Sequence, residues 1–348
     1  MRDQAVRIAS AGLLTSVGLD AASSAAALRC RLNLFERVGL DDGEHTATVS
    51  PLPADCQAPE LGAAEVLGQW MAQAALQACT ALPGLGLSEL TASDLPVLAC
   101  LAERQRPGRP ARWDHELVNA FVQQFGQPGA GSRTFARGSV AIADALAQAH
   151  ELLYRQGAPA VLVVAADSYL LPDTLSALCL SGRCLGPELP SGFVPGQAVG
   201  ALLLTRLDED TEAEQLLCTG TGQATEAARL DNDLTNTGQA LTQALRQACE
   251  AAHQDIGATD LVIADLSGEA FYAEEHALAG LRAFQECATS PALWLPAESL
   301  GNTGAVSGLI ALAWLLQAQQ MDYAPGFNTL CQFQGDDGAR AALALTWV

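Results

Sequence analysis

No lysine occurs anywhere in this 348-residue chain: all 18 basic residues are arginine, set against 39 carboxylates and a formal charge of −21. That absence excludes Schiff-base catalysis, a P-loop lysine and any other mechanism that needs an ammonium group. The acidic balance opposes sequence-independent phosphate binding, so nucleic acid is not an expected partner. Ten cysteines are scattered singly and none forms a C-x-x-C pair. This argues against a zinc site and against a secreted disulfide framework, and it predicts buried free thiols in a reducing cytoplasm. No cofactor or metal is expected. No apolar run reaches the roughly 18–20 residues of a membrane span. Behind Met1-Arg2-Asp3-Gln4 there is no apolar signal core.

What is present is strand–helix alternation. Residues 5–12, 96–101, 158–166, 200–205, 215–222, 260–265 and 341–348 read as strands, several of them continuously apolar. Helices are predicted over 21–31, 63–82, 139–156, 240–252 and 304–320. Continuous apolar strands between helices imply a parallel or mixed sheet covered on both faces. The glycine-opened helices at 138–156 and 304–320 look like equivalents of one another. An acidic stretch, 208–214, links two halves with expected bounds of 1–207 and 215–348.

Three segments carry a resemblance. Residues 8–32 (IASAGLLTSVGLDAASSAAALRCRL) are similar to the opening strand, G-x-x-S/T-x-x-G turn and first helix of elongating β-ketoacyl synthases. Residues 180–204 (LSGRCLGPELPSGFVPGQAVGALLL) resemble that family's S-x-D-G-R-C-x-P-F-D-x-x-x-x-G-F-V-x-G-E-G-A-G segment. Residues 301–308 (GNTGAVSG) resemble its G-H-T-x-A-A-A-G segment. The resemblance implies a thiolase-like α/β fold: a duplicated, five-layered αβαβα arrangement with mixed sheets. Such proteins usually form a dimer through the strands just before the nucleophile.

Family chemistry requires a thiolate at a helix start and two imidazoles, or His and Asn, beside it. Aligning on Gly138 and Ile142 puts Phe135 at the cysteine position, where it is expected to fill the acyl pocket. Asp265 stands at the first histidine and Asn302 at the second, and Asp336 and Asp337 enter a loop (335–340) that is normally G-F-G-G-T-N. The resemblance with these replacements implies a non-condensing pseudo-enzyme. Ser139 reads as a helix-start cap rather than a substitute nucleophile. Asp265 with Glu269 reads as a pair of strand-end carboxylates, and His276, after Glu274-Glu275, as part of a solvated helix face.

Arg104, Arg106, Arg109 and Arg112 form a local positive island in a Pro/Gly-rich loop. They are either a solvated loop or a docking site for an acidic carrier or cargo protein. Two functions fit best. The first is a non-catalytic protein-binding adaptor, such as a chaperone-like adaptor of a bacterial (type VI) secretion system. The alternative is a chain-length-factor-like subunit paired with an active ketosynthase. Either way the expected partners are proteins, in a homodimer or in a heterodimer with a synthase-like paralogue.

Overall fold

The structure is a computed structural model that describes residues 4–40, 46–53, 56, 62–186, 191–211, 213–285 and 290–348. Cys287, one of the ten cysteines, and His45 lie outside the described residues, as do 1–3 and 187–190. In the first half the elements run β1 (Val6–Leu14), α1 (Ala21–Arg29), a hairpin of β2 (Glu36–Gly39) and β3 (Thr46–Val49), α2 (Ala63–Cys79), β4 (Val97–Leu101) and α3 (Trp113–Phe125). They continue with β5 (Arg133–Ala136), α4 (Ala141–Tyr154), β6 (Val161–Ser168), α5 (Pro172–Leu180) and β7 (Gln197–Arg206). The second half runs β8 (Leu216–Thr225), α6 (Gln239–Ala252), β9 (Leu261–Ala264), α7 (Ala270–Ala283) and β10 (Ala292–Trp294). It closes with α8 (Ala297–Leu300), α9 (Ser307–Gln320), β11 (Asn328–Gln334) and β12 (Ala339–Trp347).

The strand order is β10-β9-β11-β12-β8-β1-β7-β6-β4-β5. From β8 outward and from β1 outward the order and strand senses are the same. In each half the first strand pairs antiparallel with the fifth and the fifth antiparallel with the fourth, then two parallel pairings follow. The halves join through Val6–Ile8 of β1 against Leu216–Cys218 of β8, so one ten-stranded mixed sheet spans both.

Layering follows from which helix faces are apolar. Helix α9 is buried at nearly every position from Gly308 to Ala318, the pattern of a helix enclosed on all sides. It crosses α4 where Gly308 lies directly against the Ile142 side chain, and both helices sit in the core between the folded halves of the sheet. Helices α2 and α3 cover the outer face of the first half. Helix α6 turns Leu241, Ala244, Leu245 and Ala248 onto the outer face of the second. This is the expected five-layered thiolase-like arrangement. Among the described residues no helix is long and apolar enough to cross a membrane.

Both central helices begin in a single 3-10 turn, Gly138–Val140 and Gly304–Val306, opened by a glycine at φ +60 and +54 respectively. A side chain at Gly304 would overlap the Asp167 carboxylate, and one at Gly138 the Glu103 carboxylate. The positive φ and the close approach together require glycine at these two starts.

Candidate functional site

The starts of α4 and α9 and the C-terminal end of β9 converge on one cleft. Its walls include Ser139, Asp265, Asn302, Glu269 and Asp336, with Arg183 and Tyr272 across from them. The void is about 30 Å³, and a second of about 10 Å³ lies on the far side of Asp265 and Asn302. The larger has room for about two or three water molecules. Neither lining contains a cysteine or a histidine.

Ion pairs occupy the space. Arg183 bridges Glu269 (2.8 Å) and Asp336 (2.6 Å), and Tyr272 Oη donates to Asp336. Burial alone would raise the Asp336 carboxyl, but Arg183 and the tyrosine hydroxyl outweigh it and hold it below its ordinary range. For Glu269 burial outweighs Arg183, and its carboxyl rises. Behind this wall Arg340 donates from Nε to both Glu275 oxygens, at 2.7 and 2.9 Å, with side-chain exposures of 1% and 0%. On the other side Arg106 pairs with Glu103 (2.6 Å) and Asp167 (2.5 and 2.8 Å), and lies over the Tyr169 ring at 3.9 Å. Asp167 also accepts from Ala305 N at 2.8 Å, which anchors it on the turn leading into α9.

The positions singled out from sequence divide into two groups. Asp265, Asn302, Ser139 and Glu269 do meet at the cleft. Burial pushes the Asp265 carboxyl up to about 7, against one strong hydrogen bond from Gln334 N at 3.0 Å. Its Oδ1 is shut from solvent and lacks a hydrogen-bond partner. Asn302 donates to Ser267 Oγ at 3.3 Å and accepts from Gly304 N at 3.0 Å, so its amide is committed within the fold. Ser139 does not cap a helix with its hydroxyl. Instead Oγ donates 3.0 Å to the Gln334 carbonyl.

Phe135 lies elsewhere. It sits inside β5, paired in register with Cys100 of β4, and packs on the central core without lining the cleft. The chain enters its helical turn at Gly138, three residues further on. Cys100 is enclosed and its thiol is pushed up by burial; the Cys79, Cys218 and Cys249 thiols are raised likewise, to about 11, 12 and 11. None is poised as a thiolate.

Two expectations about surfaces require correction. Arg106 and Arg109 are not presented to solvent: their side chains are 4% and 5% exposed, paired with Asp167 and Glu103, and with Asp114. Only Arg104 and Arg112, each 76% exposed, project outward, and they face Asp114 and Glu116. The island is mostly an internal network. Nor is the helix around His276 solvated throughout. Glu274 is exposed, but Glu275 is fully buried on Arg340 and His276 is half-buried. The sequence-based reading missed Arg183, Tyr272 and the Glu275–Arg340 pair. Adjacent acids in a helix look alike in sequence, and only the partner across the fold distinguishes them.

No family model matches this sequence, and no curated protein does. Solved structures do resemble it. One is a type II polyketide synthase acyl-carrier protein in complex with its ketosynthase bound to the hexaketide: TM-score 0.80, 15% identity, covering 99% of each chain. Another is a ketosynthase in complex with its chain length factor from Xenorhabdus doucetiae: TM-score 0.73, 13% identity, covering 99% of this chain and 98% of that one. A third is a β-ketoacyl synthase from Burkholderia phymatum: TM-score 0.74, 16% identity, covering 99% of each chain. From end to end, the fold of this chain is the thiolase-like fold of the ketosynthases.

Proposed function

We propose that this chain is a non-condensing ketosynthase-like subunit that pairs with an active ketosynthase, as a chain length factor does. The observation that carries this is the cleft. Where the resemblance places condensation chemistry, about 30 Å³ remains, and the lining holds Glu103, Asp265, Glu269 and Asp336 against the single Arg183. An acyl-enzyme needs a nucleophile and an enolate needs hydrogen-bond donors, whereas these carboxylates oppose developing negative charge. In this reading Phe135, Asp265 and Asn302 occupy the positions that the resemblance assigns to the cysteine and the two histidines, which supports loss of the condensing reaction.

The pairing surface in this reading is β5, the last strand of the sheet, whose outer edge has no neighbouring strand among the described residues. An unpaired edge is a template for a strand of another chain. Solved complexes with a ketosynthase, a chain length factor or a carrier protein among the structural neighbours favour this reading over the secretion-system adaptor. Six of the nine cysteines within the described residues are buried and no disulfide joins any two of the nine, which supports a reducing, cytoplasmic setting.

The test has two arms. Purified chain incubated with malonyl- and acyl-thioesters should show neither acylation nor decarboxylation. Mixed with a ketosynthase encoded beside it, it should form a heterodimer on size exclusion, weakened by Arg133→Asp/Thr134→Asp on the β5 edge. Thioester turnover by the chain alone would overturn the non-condensing reading. An exclusively homodimeric chain that ignores the synthase would overturn the pairing.

A further inference from the structure

Far from the cleft, a cavity of about 450 Å³ opens between the C-terminal end of α1, strand β10 and helix α9. This falls within the range of small-molecule pockets, about 300–1,000 Å³. Its floor is aromatic: Trp294 stacks on Trp314 with centroids 4.3 Å apart and planes at 21°, and Tyr323 lies 6.1 Å from Trp294. Trp314 is 7% exposed. Its Nε1 and the Tyr323 Oη lie near one another and both are closed to solvent, so this floor offers the cavity ring surface rather than polar atoms.

The rim is cationic. Arg29 places its guanidinium over Tyr323 at 4.3 Å and, among the described residues, has no carboxylate within salt-bridge distance. Arg31 is 81% exposed and meets only Glu298, at 3.9 Å. Two arginines against one glutamate make this lining net positive on a chain of charge −21.

These features select a ligand class. Aromatic enclosures that take cations do so without cationic walls, and the arginines here would repel one. A purely aliphatic ligand would leave both guanidinium groups without an anion. We infer that the cavity binds a planar aromatic anion, an aryl ring carrying a carboxylate or phosphate, with the ring against the Trp294–Trp314 cluster and the anion at Arg29 and Arg31. The chemistry is shared by aryl carboxylates and nucleoside monophosphates, and it is independent of whether the chain pairs with a ketosynthase.

Two of the five tryptophans of the chain lie at this cavity, so intrinsic fluorescence reports on it. Titration with adenosine 5′-monophosphate and with 4-hydroxybenzoate should give saturable quenching by at least one of them, confirmed by calorimetry. Adenosine and inorganic phosphate, each lacking half of the chemistry, should give none. Response to the nucleotide alone assigns the phosphate-bearing class, and response to the benzoate alone assigns the carboxylate class. Arg29→Gln/Arg31→Gln, at exposed positions, should weaken binding about tenfold or more with an unchanged unfolding midpoint. Trp294→Leu should abolish the quenching response. No saturation by either anion at millimolar concentration, an equal response to adenosine, or undiminished binding by the double arginine variant would overturn the inference.

Discussion

Replacing Glu275 by Leu, or Arg340 by Met, strands one charge of a pair that water does not reach. Their side chains are 0% and 1% exposed, and the guanidinium meets both carboxylate oxygens. Breaking a pair so buried costs about 3–5 kcal/mol, because the remaining ion keeps its full desolvation penalty. Removing both charges together should cost much less than the two single changes combined. In Glu275→Leu/Arg340→Met no buried ion is left. What remains is the loss of hydrogen bonds from Arg340 Nη1 to the Gly335 and Ala339 carbonyls, both 2.8 Å, and from Gln334 Nε2 to Glu275, 2.7 Å. At about 1 kcal/mol for each of these, the double variant should lose about 3 kcal/mol. Urea unfolding of the four proteins, followed by far-UV circular dichroism, gives the cycle. Single variants that lose under about 1 kcal/mol, or a double variant that loses the full sum, would refute the reasoning. The pair matters beyond stability. Glu275 holds Gln334, whose N–H donates to Asp265 and whose carbonyl takes the Ser139 hydroxyl, so the same variants should loosen the cleft.

Asp265 gives a pH signature. Its carboxyl titrates near 7 in the fold against an ordinary 3.8, so from about pH 4 to 7 the folded state binds more protons than the unfolded one. That contribution is complete below about pH 4 and lost as pH rises through about 7; Asp265→Asn should flatten the stability profile in this window and be the more stable protein at pH 8. Parallel profiles for the two proteins would count against it. Arg106→Ala should cost about 3 kcal/mol or more by leaving Asp167 buried without its partner, whereas Arg104→Ala/Arg112→Ala should change the unfolding midpoint by no more than about 0.5 kcal/mol equivalent. Gly304→Ala should destabilise by about 1–3 kcal/mol, from the positive φ and the overlap with Asp167; a midpoint equal to wild type would dispose of that account.

Much of the fold is written in local pattern. The apolar run of β6 and the alanine-rich face of α2 are buried as their periodicity implies. Helix α9 could be read as packed because it has no polar face to give to water. The short elements were not legible. Strand β10 has three residues and β5 four, with side chains half in and half out, so neither carries a period. Strand β11 (NTLCQFQ) is buried along most of its length despite two glutamines and a threonine, because neighbouring strands cover it on both sides. At the site, Asp265 and Asn302 sit at the ends of strongly patterned segments, the apolar strand before Asp265 and the glycine-rich turn around Asn302. The surroundings of Phe135 were not legible: it lies in a four-residue strand with no period, three residues ahead of the turn at Gly138. The buried arginines escaped notice for a different reason. Apart from the local Glu103–Arg106 contact, Arg106, Arg183 and Arg340 find their acids 61 to 153 residues away, and no local pattern announces such a pair.

The ten-strand order has a geometric consequence. Its two free ends, β5 and β10, are nine strand spacings apart, about 40 Å along the sheet at about 4.8 Å per spacing before twist shortens it. A protein added at the β5 end and a small anion seated beside β10 would hold opposite edges of the strand order. Neither takes the other's edge, and any influence between them would travel through the core, where α9, which walls the cavity, packs on Ile142 of α4 and the halves also pair at Val6–Ile8.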